Sequence, residues 1–262
     1  MAGFGARYLP GSKADEAGNS GKYVNSPEGP CFPKRRLLYG LDSLQDGLRK
    51  DPERPILVTE GYLDVILLHQ AGYPTAVASL GTALTEDHGR RLLRYDRPVL
   101  LLLDGDVAGI RAAIRGGAVL VKEGVDVRVA TLPEGKDPAD MISGGLTEKL
   151  SQLITESEDI MNWRLSRWSL SGKSQIPAVK DKFAKDLAGL VSLSPSPVLQ
   201  ELWGRRICDS LQISEQNFRS YLPQDRQPVS VHTAESTPSH TQENTGQEAL
   251  RQNEREIVTA VL

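Results

Sequence analysis

Short apolar runs alternate with longer stretches of helical spacing between residues 55 and 132, and this alternation most constrains the fold. The apolar runs are residues 56–59, 75–79, 99–103 and 127–132. The stretches of helical spacing between them are at about 62–71, 85–94 and 107–123. Because the runs are apolar on both faces, they are typical of parallel strands covered by helices on each side. The pattern therefore predicts an α/β fold built on a parallel-rich sheet.

Composition and charge exclude several classes of protein. With 31 Lys and Arg against 34 Asp and Glu, the net charge is −3, so any site for a polyanion must be local. The two cysteines, Cys31 and Cys208, cannot build a disulfide framework or a cysteine-ligated zinc site. No apolar run approaches the roughly 20 residues of a membrane helix. We therefore expect a protein of the reducing cytoplasm with no membrane contact.

The residues before the α/β region form a basic stretch. Residues 1–36 contain six Lys and Arg against three Asp and Glu, among many Gly and Pro. Such an irregular stretch buries little apolar surface alone, so it must pack on another part of the protein or be the end of a subdomain that begins earlier; a solvated arm is the alternative. We predict that residues 1–50 are the end of a basic N-terminal subdomain, and that residues 51–145 form the α/β domain.

Beyond the α/β domain, the pattern changes to helices and then to low complexity. Residues 146–222 predict a helical subdomain, with helical spacing at 146–169, 177–191, 196–211 and 214–222. Residues 223–247, rich in Gln, Pro, Ser and Thr, predict a disordered linker. An amphipathic helical pattern resumes at 248–262, which predicts the start of a further domain.

Acidic residues directly follow two of the predicted strands. Glu60 comes after the first apolar run, and Asp104 and Asp106 come after the third. Because parallel strands end at the same edge of a sheet, we expect these carboxylates to converge. Asp64, one helical turn after Glu60, and Asp137, after the last strand, are candidates for the same cluster.

Such a cluster needs raised pKa values or a counter-cation. Two like charges about 4 Å apart repel by roughly 4 kcal/mol at an effective dielectric of 20. Oxygen ligands without nearby His or Cys favour Mg²⁺ or Mn²⁺, which points to phosphoryl or nucleotidyl transfer, or to hydrolysis. A single Glu-Gly or Asp-Gly after a strand is more often a plain turn or helix cap. From the residues alone, both interpretations stay open.

These segments resemble bacterial-type DNA primases, whose catalytic core contains the TOPRIM fold shared with topoisomerases. The acidic segments that carry the resemblance are VTEGYLDV (58–65), LLLDGDVAG (101–109) and LPEGKDPADMI (132–142), together with VASLGTALT (77–85). The preceding segments GFGAR (3–7), KYVNSPEG (22–29) and FPKRRLLYGL (32–41) resemble the primase-specific stretch before TOPRIM. One departure is Ala139, at a position where a second acid is expected; the next acid, Asp140, is interpreted as part of a short helix that begins at Pro138.

The resemblance implies a role for each candidate site residue. Glu60 is the acid nearest the reacting groups, and Asp104 and Asp106 are catalytic metal ligands. Asp64 and Asp137 support them as further ligands for Mg²⁺ or Mn²⁺. The basic residues implied to contact the phosphates of template or nucleotide are Arg7, Lys22 and Lys34, which lie in the one stretch with a positive balance.

The implied function is that of a DNA primase, which joins ribonucleoside triphosphates on a single-stranded DNA template by metal-dependent nucleotidyl transfer. The sequence is interpreted as an internal fragment of a monomeric protein. A zinc module, the only place where zinc is expected, precedes it, and most of a domain that binds the replicative helicase follows it. Two alternatives are another TOPRIM enzyme, such as a nuclease or topoisomerase, and a non-catalytic primase remnant that binds nucleic acid.

Overall fold

The computed structural model describes residues 4–7, 23–30, 32–172 and 176–223. The contacts divide the chain into two compact units, Met1–Asp159 and Ile160–Leu262. The first unit therefore continues beyond Gly145, where the sequence pattern placed the end of the α/β domain. The predicted linker and the predicted helix at 248–262 lie outside the described residues, apart from Pro223.

The first unit contains the strands and the helices between them. Its strands are β1 (Gly5–Arg7), β2 (Tyr23–Asn25), β3 (Ile56–Thr59), β4 (Ala76–Ala78), β5 (Val99–Leu103), β6 (Val127–Thr131) and β7 (Glu158–Asp159). Its helices are α1 (Leu41–Lys50), α2 (Tyr62–Gln70), α3 (Glu86–Leu93), α4 (Val107–Lys122), α5 (Pro138–Ser143) and α6 (Thr147–Thr155).

The main sheet has the strand order β4-β3-β5-β6-β7. The first four strands pair in parallel, and only β7 runs antiparallel to its neighbour. The predicted parallel-rich α/β sheet is thus confirmed. Two details differ from prediction: β7 lies in a stretch predicted to be helical, and β1 and β2 form an antiparallel pair in a stretch predicted to be irregular.

The core lies on both faces of the sheet. Every residue of β3 and β5 is buried, as expected for central strands. Alternate residues of these strands, such as Leu57 and Leu100, join one apolar cluster with Val65 of α2, Met141 of α5 and Leu150 of α6. Each fully buried side chain of this size contributes about 1.5–3 kcal/mol. Helices α3 and α4 pack against each other, and α4 also contacts β5 and β6.

The second unit is helical. It contains α7 (Ile160–Leu170), α8 (Pro177–Leu193), α9 (Pro197–Leu211) and α10 (Glu215–Arg219). Trp168 stacks on Phe183 with the ring centroids 4.6 Å apart, and Trp163 and Trp203 are also buried. All three tryptophans are therefore packing residues. Among the described residues of the whole chain, no helix is long and apolar enough to cross a membrane.

Candidate active site

The carboxyl ends of β3 and β5 bring Glu60 and Asp104 to one edge of the sheet. The two strands are parallel neighbours, and their ladder runs up to Val58 and Leu101. Glu60 follows two positions after Val58, and Asp104 follows three positions after Leu101. Glu60 is exposed and Asp104 is half-buried, so both carboxylates lie at the rim rather than in the core. The two strands therefore end at the same edge of the sheet, and the convergence of the two carboxylates stays a prediction.

The loop after β5 packs tightly against the loop after β6. The Gly105 N–H donates to the Lys136 carbonyl at 3.4 Å. A Cβ on Gly105 would lie only 2.3 Å from the Pro133 carbonyl oxygen, so only glycine fits this approach. Asp106 then caps α4, because its Oδ1 accepts from the Gly109 N–H at 2.8 Å. The Asp-Gly-Asp sequence thus connects the end of β5 to the loop after β6, through Gly105, and to the start of α4, through Asp106.

Asp64 and Asp137 serve as local caps. The Asp64 carboxylate is buried and accepts from the N–H groups of Gly61 and Ala139, each at 3.2 Å, which joins the start of α2 to α5. Asp137 is also buried, and its Oδ1 accepts from the Asp140 N–H at 2.7 Å. Asp140 completes a capping box at the start of α5 after Pro138, as its position predicts.

The expected single cluster of five metal ligands is therefore not observed. Within the described ranges, no three His, Cys, Asp or Glu side chains are grouped so that they could hold a metal ion. The physical reason is that the chain uses Asp64, Asp106 and Asp137 to satisfy backbone N–H groups at helix starts. Glu60 and Asp104, with Asp106 beside them, remain the carboxylates at the shared edge.

The three predicted phosphate-binding residues are described to different extents. Arg7 ends β1, but its side chain lies outside the described part of the structure, and so does the whole of Lys22. Lys34 is half-buried: its backbone N–H donates to Glu28 Oε2 at 3.1 Å, and its Nζ lies 5.8 Å from the centroid of the Phe32 ring. The roles of all three in binding phosphate stay predictions.

The basic segment of residues 32–36 is held against the α/β domain by long-range contacts. Thr85 Oγ1, at the start of α3, donates to the Arg35 carbonyl at 2.6 Å. His88 Nδ1 accepts from the Thr85 N–H at 3.3 Å, so Nε2 carries the proton and donates to the Lys34 carbonyl at 3.2 Å. A bridge between Tyr39 and Ala78 then fixes the chain beyond this segment to β4. The predicted packing of the basic stretch on another part of the protein is confirmed for these residues.

His88 is a positioning residue that sequence analysis missed, because helical spacing alone identifies it only as a packing residue. The side chain is fully buried, and burial lowers the pKa of His88, although the carbonyls of Lys34 and Leu37 oppose that shift. The available signal was the spacing of Thr85 and His88, which is that of a capping box.

The lowered pKa of His88 predicts a loss of stability in mild acid. As pH falls below about 6.5, the unfolded chain binds a proton at this position, whereas the folded chain does not. The free energy of unfolding should therefore fall as pH drops from about 7.5 to about 5.5. Urea titrations should show the advantage of the wild type over His88→Gln shrinking by about 1 kcal/mol across this range. A constant difference would contradict the assignment.

A mostly parallel sheet with a glutamate after one central strand and an Asp-Gly-Asp sequence after its neighbour defines a TOPRIM-type domain. Comparison with family models agrees, since residues 57–142 match the Toprim-like family. Residues 1–45 match the N-terminal domain of the DNA primase catalytic core.

Individual relatives narrow the class further. The DNA primase of Clostridium acetobutylicum is 33% identical over 227 residues, which cover 87% of this chain and 36% of that protein. The DNA primase of Helicobacter pylori is 39% identical over 191 residues, which cover 73% of this chain and 33% of that protein. A crystal structure of a DNA primase domain from Pseudomonas aeruginosa matches with a TM-score of 0.69 at 32% identity, covering 84% of this chain and 67% of that one. This chain belongs to the bacterial-type DNA primases, and it spans about a third of the length of these two curated relatives.

Proposed function

We propose that this chain carries the catalytic centre of a DNA primase, a nucleotidyltransferase that joins ribonucleotides on single-stranded DNA in the cytoplasm. The observation that carries the proposal is the shared sheet edge, where Glu60 and Asp104 follow two neighbouring parallel strands. In the reaction, a bond forms between the 3′ oxygen of one nucleotide and the α-phosphorus of the next. The bond from that phosphorus to the bridging oxygen breaks, pyrophosphate leaves with its electron pair, and the hydroxyl proton passes to water.

The side chains at this edge fit a divalent cation of the Mg²⁺ or Mn²⁺ type. Mg²⁺ in such enzymes is usually held by one or two carboxylates and completes its shell with phosphate oxygens and water. Glu60 and Asp104 would supply two such carboxylates. When bound, the cation neutralises charge on the reacting phosphate oxygens. The loop after β5, which packs closely on the loop after β6 at Gly105, would position Asp104 for this purpose.

Template binding is assigned to the basic segment and the residues before it. Lys and Arg neutralise phosphates and supply most of the affinity for nucleic acid. A primase catalytic domain bound to single-stranded DNA matches this chain with a TM-score of 0.67 at 29% identity, covering 82% of this chain. By that likeness we propose that Arg7, Lys22 and Lys34 contact the template or the nucleotide. We further propose that the whole protein is a monomer that engages the replicative helicase through a domain beginning at 248–262.

The test is incorporation of labelled ribonucleotides by the full chain on single-stranded DNA with Mg²⁺ or Mn²⁺. We expect a product that alkali degrades, because RNA carries the 2′-hydroxyl. A chelator should lower incorporation by about 100-fold or more, and added Mg²⁺ should restore it. Omission of the template provides the control. Unchanged synthesis after metal removal would overturn the proposed mechanism.

The same reactions separate the two alternatives. Degradation of the labelled DNA strand without incorporation would favour a TOPRIM nuclease. Retention of DNA in a filter-binding assay, with neither synthesis nor degradation, would favour a non-catalytic remnant. The comparisons with DNA primases favour synthesis over both outcomes.

A further inference from the structure

A groove of about 310 Å³ lies on the helical unit, between α9 and α10. Its floor is apolar, because the buried side chains of Val191 in α8, Cys208 in α9 and Phe218 in α10 all line it. The groove continues to Leu222, one position before the last described residue, Pro223. The helical unit therefore has an apolar groove next to the point where the chain leaves it.

Gly204 lies in the groove, although the fold of α9 does not require glycine there. Glycine is among the least favourable residues inside a helix. The Gly204 backbone is not left-handed, and a Cβ at this position would lie 3.6 Å from Phe218 Cε1, which is ordinary van der Waals contact. A side chain at position 204 would therefore fit the fold but would fill the groove. This favours a groove that receives an apolar side chain from another segment.

Two exposed side chains of α9 extend the apolar surface beyond the groove. Val198 and Leu202 are 68% and 46% exposed, and they lie one turn apart on the helix. Each follows by one position a residue that lines the groove, Pro197 or Glu201. An apolar surface that continues from a groove in this way is typical of a docking site for an amphipathic helix.

The borders of the groove carry charges of both signs. Glu201 pairs with Arg205 on α9, and Glu215 pairs with Arg219 at 3.3 Å on α10. All four side chains are more than half exposed, and all four line the groove. A segment that fits the groove should therefore have an apolar face flanked by acids and bases.

The 248–262 segment of this chain, which lies outside the described residues, has the sequence that such a groove requires. Leu250, Ile257 and Val261 recur at spacings of seven and four, which is the pattern of one helix face. Charged residues of both signs flank that pattern: Arg251, Arg255 and Glu256. The apolar residues therefore match the floor of the groove, and the charged residues match its borders.

The 248–262 segment is also tethered close to the groove. Leu222 lines the groove, and only residues 223–247 separate it from the segment. Fully extended, a stretch of this length spans about 80 Å, so the segment can return to the groove. A tether of this kind raises the local concentration of the segment to roughly millimolar, an advantage that a separate partner lacks.

We propose that the 248–262 segment docks in the groove of the helical unit through Leu250, Ile257 and Val261. The contact holds the start of the following domain against α9 and α10. The inference goes beyond the proposed function, which assigns this segment only to the domain that engages the helicase. A partner that binds the same apolar face must first displace the segment from the groove.

Disulfide cross-linking in the full chain tests the inference, because Cys208 lines the groove. In a Cys31→Ser background, the faster of Ile257→Cys and Val261→Cys should link to Cys208 about 10-fold or more faster than Thr259→Cys. Thr259 is the matched control because helical spacing places it on the opposite face of the same segment. Peptide mapping should find the disulfide within one chain. Equal rates for all three variants would overturn the inference, and so would a disulfide between two chains, which would make a second copy the occupant.

Filling the groove provides the test from the other side. Gly204→Leu should slow the cross-link about 10-fold, because the added side chain takes the place of the docked residue. Gly189→Leu is the matched control, since a Cβ at Gly189 on α8 would meet no atom within 4 Å. An equal urea midpoint for the two variants would show that the helical unit still folds. An unchanged rate in Gly204→Leu would contradict docking in this groove.

Hydrogen exchange gives a readout that does not depend on the reactivity of Cys208. Ile257→Asp places a charge on the apolar face, so the amides of α10 should exchange about 10-fold faster. Thr259→Asp adds the same charge to the opposite face and should leave their exchange within about twofold. Equal exchange of α10 in the wild type and Ile257→Asp would overturn the inference. Neither measurement depends on primer synthesis, so the outcome is independent of the proposed function.

Discussion

Glu60→Gln is expected to lower primer synthesis by about 10³-fold while leaving the fold unchanged. Glutamine keeps the size of the side chain but removes the charge that we propose faces the reacting phosphates. Glu60 is exposed at the end of β3, and such a substitution usually changes stability by no more than about 0.5 kcal/mol. The loss should therefore appear in the synthesis rate and not in the urea midpoint or in DNA retention.

Two further variants make the result specific. Asp104→Asn should cause a loss of similar size, because its carboxylate follows the neighbouring parallel strand at the same edge. Glu148→Gln, which removes one charge from an exposed position in the first turn of α6, should retain activity within about twofold. If Glu60→Gln kept more than about a tenth of wild-type synthesis, Glu60 would not be a catalytic residue.

The acidic edge was predictable because it depends on local sequence. The apolar runs predict strands β3 and β5 at their observed bounds, and a parallel sheet requires that strands end at a common edge. The positions of Glu60 and Asp104 after these strands follow from that pattern, whereas their roles come from the family resemblance. The short β7 was not predictable in this way, because a strand of two residues has too few positions to show an alternating pattern.

Residue type alone does not distinguish a helix cap from a metal ligand, so the sequence could not show that Asp64 and Asp137 are caps. Asp64 and Asp137 lie near the catalytic segments in sequence, yet their oxygens accept from backbone N–H groups. The spacing of Asp137 and Asp140 matches a capping box and could have assigned Asp137 as well as Asp140. A capping role competes directly with coordination for the same carboxylate oxygens.

Contacts between residues distant in sequence account for most of what sequence analysis missed. His88 meets the carbonyl of Lys34, 54 positions away, and Asn25 meets the carbonyl of Leu80, 55 positions away. No periodic pattern reports such pairs, because each depends on how the residues before the α/β domain lie against it.

Gly109→Ala should give the largest loss of stability of the substitutions considered. A Cβ at this position would lie 2.0 Å from the Asp104 carbonyl oxygen, and the backbone cannot yield without displacing the end of β5. The same movement breaks the cap from Asp106 Oδ1 to the Gly109 N–H. We expect a loss of about 3 kcal/mol in the free energy of unfolding. Synthesis should fall about 10²-fold, because Asp104 is displaced.

Gly189→Ala provides the matched control for this effect because it adds the same methyl group to a helix. Gly189 lies within α8, and a Cβ there would meet no atom within 4 Å. Alanine is more favourable than glycine in a helix by about 1 kcal/mol, so this variant should be as stable as the wild type or more stable. Urea unfolding of the two variants should therefore shift in opposite directions. An unshifted midpoint for Gly109→Ala would show that the loop after β5 tolerates displacement, and the rigid placement of Asp104 would no longer explain catalysis.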